Sequence, residues 1–223
     1  MNKPIDDFIA PHCADEIDIL YQDEDILLIS KPSGLLSLSG KNPLNKDSVH
    51  FRMSQKFPSI SLAHRLDFGT SGIMLLALNK KANANLNKQF QNRSVKKTYI
   101  SELLGHIAED SGIIDAAIAK DPENFPVLKL CEKLGKSAQS HFKIISRLAN
   151  PNRSRVLFTP VTGRTHQLRI HSLAIGHPIL GCDLYHCGNS AQLAPRLLLH
   201  AASLEFDHPS TGLRMHVASP CPF

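Results

Sequence analysis

His64-Arg65-Leu66-Asp67-Phe68-Gly69-Thr70-Ser71-Gly72-Ile73-Met74-Leu75-Leu76-Ala77-Leu78 is the stretch around which the rest of the chain organises itself. Its second half, residues 73–78, is apolar without a break and too short for an amphipathic helix, so it reads as a buried strand. Its first half sets a charged triplet on a loop of small residues directly before that strand. Small residues let a substrate approach the backbone closely, and loops held by a rigid sheet are where function is commonly placed. Taken alone, Asp67 could be a nucleophile, a general base, a metal ligand or a turn cap.

Working outward, residues 19–21 and 26–29 read as strands separated by an acidic turn. Lys31-Pro32-Ser33-Gly34 ends the second, because proline cannot donate to a ladder and glycine permits the turn. Residues 48–57 suit a short helix capped by Asp47 and stopped before Pro58. Asn79 caps a helix over 80–92, where Ala82, Leu86 and Phe90 recur at i, i+4 and form an apolar stripe. Further strands are expected at 99–100 with 103–104, at 113–114, at 142–145 and at 156–158. A helix over 165–175 should end at Gly176, and residues 204–217 read as a hairpin turning at 208–212. Many strands with a few interspersed helices predict an α+β fold, a mixed and mainly antiparallel central sheet with flanking helices. The expected organisation is one domain over 19–223, preceded by a flexible acidic N-terminal arm over 1–18.

The chain has 223 residues, 42% hydrophobic and 20% charged, which is ordinary globular composition. A chain of this size buries roughly 70% of its unfolded surface, so it needs no disulfide or structural metal to fold. No apolar run approaches the roughly 20 residues of a membrane span, and no secretory leader is expected. Five cysteines, at 13, 131, 182, 187 and 221, form no Cys-x-x-Cys pair. They are expected to be reduced thiols in a cytoplasm.

Charge is uneven. Residues 1–25 hold eight acids against Lys3 alone, whereas 26–223 carry a net charge of +12. Two stretches, 68–101 and 133–182, contain no acid and hold six and eight Lys or Arg respectively. Such segments suit a polyanion, since each neutralised phosphate releases counterions. They suit a solvated basic face equally well.

A second charged cluster is Thr162-Gly163-Arg164-Thr165-His166-Gln167-Leu168-Arg169-Ile170-His171, at a turn leading into a helix. A buried carboxylate that must stay ionised needs a fixed cation, and Arg169 on a helix is a rigid way to supply one. The spacing of His166 and His171 does not place both rings on one helical face, so zinc chemistry is not expected. Lys96-Lys97-Thr98-Tyr99 puts a tyrosine after two lysines in a chain without tryptophan, making it a scarce base-stacking surface or a packed strand residue. Cys182-Asp183-Leu184-Tyr185-His186-Cys187 matches no common zinc framework.

These segments together resemble the ribosomal large subunit pseudouridine synthase A (RluA-type) family. The matching elements occur in family order over about residues 19–217. They are the Lys31–Leu35 turn, His64-Arg65-Leu66-Asp67 with Thr70-Ser71-Gly72, Lys97-Thr98-Tyr99, the 163–171 cluster, Gly176-His177-Pro178-Ile179 and Leu197-Leu198-Leu199-His200-Ala201. The chain resembles the short form, without an N-terminal RNA-binding domain of the S4 type. One departure is visible: where the family commonly has Gly-Asp after His-Pro-Ile, this chain has Gly181-Cys182, with Asp183 displaced by one.

The resemblance implies the pseudouridine synthase fold and an RNA isomerase that acts as a monomer without cofactor or metal. Asp67 would be the catalytic carboxylate, Arg169 its cationic partner, and Tyr99 the ring that stacks on the uracil and moves a proton. His64, Arg65, Lys96, Lys97, Arg164 and His166 would contact RNA, with Arg65 filling the space of the extruded nucleotide. The expected substrate is a uridine in a structured stem-loop, in 23S rRNA and also in a tRNA anticodon stem-loop. A non-catalytic RNA-binding or ribosome-assembly factor on the same fold is the alternative.

Overall fold

The computed structural model describes residues 8–223, which fall into two compact units. One holds the chain up to Val95 together with Phe206–Ser219, and the other Lys96–Glu205 together with Pro220–Phe223. The sequence shows no linker because neither main boundary is one. The first falls where the strand Lys96–Leu104 begins, and the second inside the strand Leu199–Asp207.

The first unit contains β1 (Asp18–Gln22), β2 (Ile26–Lys31), α1 (Val49–Ser54), β3 (Ser61–Leu62), β4 (Ser71–Ala77) and α2 (Lys80–Gln91). β1 pairs with β2, β2 with β4 and β3 with β4, all antiparallel. All seven residues of β4 are buried, Ser71 and Gly72 along with the apolar run that the sequence marks as a buried strand from Ile73. The β2–β4 register runs from Ile26 opposite Ala77 to Lys31 opposite Gly72. That register brings the chain leaving β2 alongside the chain entering β4, and so sets the 31–37 segment against the 64–70 loop.

Asn79 caps α2 as expected, its side chain accepting from the Ala82 N–H at 2.9 Å. At α1 the cap is Ser48, whose Oγ accepts from Phe51 N–H at 3.0 Å. Asp47, the expected cap, is instead taken up by Arg52 through two bonds of 2.7 Å. A bidentate arginine is the stronger partner for a carboxylate, and serine caps as well as aspartate does.

Of the acidic arm expected over 1–18, residues 1–7 lie outside the described residues. Residues 8–17 have no regular structure, yet they are not loose. Asn45 donates to Phe8 O at 2.7 Å and accepts from Ala10 N–H at 2.8 Å, and Arg52 donates to Cys13 O and Asp15 O. Side chains on the body satisfy this segment's backbone, which its own composition does not reveal.

The second unit contains β5 (Lys96–Leu104), β6 (Ser111–Asp115), β7 (Ile118–Lys120), β8 (Leu128–Leu130), β9 (Gln139–Leu148), β10 (Arg153–Pro160), α3 (Gln167–Ala174) and the greater part of β11 (Leu199–Asp207). Strand order is β11-β5-β10-β9-β6, with antiparallel neighbours. β7 and β8 pair separately, a short hairpin whose three-residue strands leave little periodicity to read. After β11 the chain turns at His208 and Gly212 into β12 (Arg214–Ala218), in the expected hairpin position.

α3 starts two residues later than expected because His166 adopts a left-handed conformation, φ +54°. Gly176, also left-handed at φ +80°, lies just beyond its end. Leu168 and Ile170 enter the core with Phe158, Ile179 and Leu199. The polar residues of α3 are buried as well, each with a partner. Gln167 accepts from Thr162 Oγ and Arg164 N–H and donates to Gln139 O and Ser140 Oγ. His171 bonds Ser140 Oγ at 3.0 Å and Ala116 O at 3.1 Å.

Burial pushes the His171 imidazole below its ordinary value of 6.5. The unfolded chain therefore takes up this proton first as pH falls. The stabilisation is complete above 6.5 and declines as pH drops toward the folded value. His171→Gln retains a donor for Ala116 and an acceptor for Ser140 but does not titrate. The fall in Tm between pH 7.5 and 5.5 should therefore be smaller in this variant than in wild type, by about 2–4 °C in a thermal melt.

Candidate active site

The 64–70 loop is held from several sides. Thr70 N–H donates to Asp67 O at 3.1 Å, closing a tight turn at the carboxylate. Leu66 is buried, and its backbone exchanges two bonds with Ser37: Ser37 Oγ donates to Leu66 O at 2.7 Å and accepts from Leu66 N–H at 3.1 Å. Ser33 Oγ donates to Gly69 O at 2.7 Å, and Gly34 N–H to Phe68 O at 2.9 Å. Gly34 sits at φ +76°, a conformation a side chain would strain.

Between the two loops lies Lys31, with no exposed surface. Its ammonium donates to Pro32 O at 2.8 Å, Leu35 O at 2.7 Å and Phe68 O at 3.2 Å. Those three carbonyls meet a lysine's three donors. His64 anchors the loop's other end. Its Nε2 accepts from Leu75 N–H at 3.0 Å, and its ring stacks on Phe90 of α2 with centroids 4.9 Å apart. Asp67 is half-buried on this framework, whereas Arg65 is exposed.

The second unit carries the other expected site residues. Tyr99 lies mid-strand in β5, opposite Phe158 of β10 and Ala201 of β11, with its ring against the core. Lys97 shares its face of the strand. The Lys97 Nζ lies 3.4 Å from where a Cβ at Gly163 would stand, which joins this face to the turn before α3. Arg164 donates to Ser137 O at 3.0 Å, and exposed Lys96 faces Glu205 at 3.6 Å.

Arg169, 4% exposed, donates from Nε to Cys182 Sγ and from Nη2 to Asp183, and lies over the Tyr185 ring. The Tyr185 hydroxyl accepts from Leu128 N–H at 2.8 Å and bonds His166 Nδ1 at 2.9 Å. Sequence reasoning did not select Tyr185, Asp183, Ser33 or Ser37. The first two lie in a run weighed for metal and, at Asp183, noted only as a departure from the family pattern, and serines in turns carry no distinguishing signal.

A groove of about 400 Å³ runs between α2 and the 207–212 turn. Its amides serve the fold: Gln89 exchanges two bonds with the Asp207 backbone, and Asn85 donates to Pro209 O. Among the described residues no three His, Cys, Asp or Glu side chains gather as a metal cluster would require. No helix is long and apolar enough to cross a membrane.

Residues 25–174 match the RNA pseudouridylate synthase family. The chain belongs to that family. It is 48% identical over 198 residues to the dual-specificity RNA pseudouridine synthase RluA of Yersinia pestis, covering 89% of this chain and 96% of that protein. To the protein of the same name from Escherichia coli it is 43% identical over 205 residues, covering 92% and 93%. Human RNA pseudouridylate synthase domain containing 1 shares the fold with a TM-score of 0.78 at 30% identity, over 96% of this chain and 86% of that one. Human RNA pseudouridylate synthase domain containing 4 does so with a TM-score of 0.72 at 23% identity, over 92% and 88%. This family member is an RNA pseudouridine synthase, an isomerase with the α+β fold its strand pattern predicts.

In this synthase Lys31→Met would leave the loop carbonyls without their shared donor. Such a change should cost about 2–4 kcal/mol, read as a shift of the urea unfolding midpoint. Ser37→Ala removes one donor and one acceptor, and should cost about 1–2 kcal/mol in the same measurement.

Proposed function

We infer that Asp67 is the catalytic carboxylate of this synthase, Arg169 the cation that serves it, and Tyr99 the ring that stacks on the uracil. The observation that carries this reading is the loop itself. The bonds that tie Leu66, Phe68 and Gly69 to Lys31, Ser33 and Ser37 are buried or half-buried, while Arg65 projects into solvent, and no acid pairs with it among the described residues. A rigidly held carboxylate beside an exposed cation suits a site that must extrude a nucleotide and then act on it.

Pseudouridine formation breaks N1–C1′, turns the uracil and joins C5 to C1′, with loss of the C5 proton. All heavy atoms of the product come from the substrate, N1 takes up a proton in exchange for the one lost at C5, and no electrons are exchanged, so the chemistry calls for positioning and proton transfer alone. Asp67 serves either as nucleophile at C1′ or as base at C2′. Deuterium at C2′ gives a primary isotope effect only in the second case.

Arg65 takes the place of the extruded nucleotide, and Lys96, Lys97 and Arg164 meet the phosphates. His64 and His166 are engaged with Leu75, Phe90 and Tyr185, which favours a supporting role for both. The substrates are a uridine in a 23S rRNA stem-loop and one in a tRNA anticodon stem-loop. This choice is supported by relatives named as dual-specificity enzymes. The enzyme works as a monomer in the cytoplasm, where its five free thiols stay reduced.

Tritium release from C5-labelled uridine in rRNA and tRNA transcripts tests these roles. Asp67→Ala should reduce release by at least ~10³-fold with RNA binding retained. Release unchanged in this variant would remove Asp67 from the mechanism. Arg65→Ala should lower kcat/KM by about 10-fold or more, and less on an unstructured oligonucleotide, where extrusion costs least.

A further inference from the structure

A buried guanidinium carries five N–H donors on a rigid plane, so the acceptors around it decide which way it faces. Arg169 is 4% exposed, and the 182–185 segment supplies two acceptors for it within the second unit. Nε donates to Cys182 Sγ at 3.3 Å, a weak acceptor. Nη2 donates to the Asp183 carboxylate, and the Tyr185 ring underlies the plane at 5.3 Å.

That segment is itself immobilised. Gly181 stands at φ +70°, and a Cβ there would lie 1.9 Å from Arg196 O, so only glycine fits. Leu180 N–H donates to Glu102 O at 2.9 Å and Gly181 N–H to Ser190 O at 3.0 Å. Tyr185 is pinned through Leu128 and His166. Asp183 differs from these neighbours because its side chain is 74% exposed. An exposed carboxylate contributes little to folding, yet this one reaches a buried cation. Its effect must lie in where Arg169 points.

We propose that Asp183 is a positioning residue for pseudouridine formation, orienting Arg169 in place of a carboxylate one position earlier, at Cys182. The proposal rests on the reading of Arg169 as the cation that serves the catalytic carboxylate. It also accounts for the departure at Gly181-Cys182, where the family pattern has Gly-Asp. Cys182 Sγ already lies within reach of Arg169 Nε, so an acid at either position can hold the same guanidinium. The two positions are alternative sources of one charge.

The test measures kcat and KM by tritium release from stem-loop RNA. Asp183→Asn should lower kcat about 10-fold with KM and Tm unchanged, because misorientation acts on the chemical step. Asp183→Glu should stay within about 3-fold of wild type. The double variant Cys182→Asp/Asp183→Asn should recover to within about 3-fold, a rescue that general packing would not produce. Wild-type kcat in Asp183→Asn would overturn the proposal. So would a loss that falls together with Tm and is not restored in the double variant. Arg169→Lys in the same assay separates the two layers. Full activity there would sink the role of Arg169 and this proposal with it, whereas an impaired Arg169→Lys beside a fully active Asp183→Asn would sink only the role of Asp183.

Discussion

The ammonium of Lys31 is the charge around which the first unit is arranged. Burying a cation costs several kcal/mol unless its donors are met. Here Pro32, Leu35 and Phe68 turn their carbonyls toward it. Two of these belong to the chain leaving β2 and the third to the loop entering β4, so meeting one charge ties two loops into one conformation. Ser33, Gly34 and Ser37 add bonds along the same seam. The β2–β4 register makes this possible by setting Lys31 opposite Gly72. A one-residue slip would reverse every side chain of β2 and carry Lys31 out of the seam.

A comparable economy governs the second unit. α3 is short and buried, so its polar side chains must find partners inside the protein. Gln167 and His171 do so on Gln139, Ser140 and Ala116, which locks the helix to β9 and to the chain after β6. A helix held that firmly can present Arg169 without the entropy loss a surface arginine would suffer. Both units therefore follow the same pattern, in which satisfying buried polar groups fixes the residues assigned to chemistry.

Charge was the least faithful guide in the sequence. The acid-free stretch 133–182 reads as eight unopposed cations. In the structure Arg153 and Arg155 share Glu102 across the β5–β10 pair, and Arg147 meets Asp110. Their partners lie 37–53 residues away. Among the described residues Lys80, Lys81, Lys88 and Arg93 of the first unit and Lys133, Lys136, Lys143 and Arg164 of the second have no acidic partner. Linear charge counts overstate a basic surface whenever strand pairing brings distant acids alongside.

The sequence by itself determined the elements whose cause is local. Residues 73–77 are a buried strand because no polar residue interrupts them, α2 starts at Asn79 because its side chain caps the first turn, and α3 gives way at Gly176 because glycine tolerates the left-handed form. The residues proposed for the chemistry were likewise chosen from the sequence, by the resemblance of their types and order to a family pattern over nearly the whole chain. Tertiary structure alone decided the rest. It gave the α1 cap to Ser48 once Arg52 had claimed Asp47, placed one boundary between units at the start of β5 and another inside β11, and gave Lys31, Ser37, Tyr185 and Asp183 their partners. Their partners stand as far as 57 residues away. Pairings of that kind arise from chain reversal and burial, which local propensity does not encode.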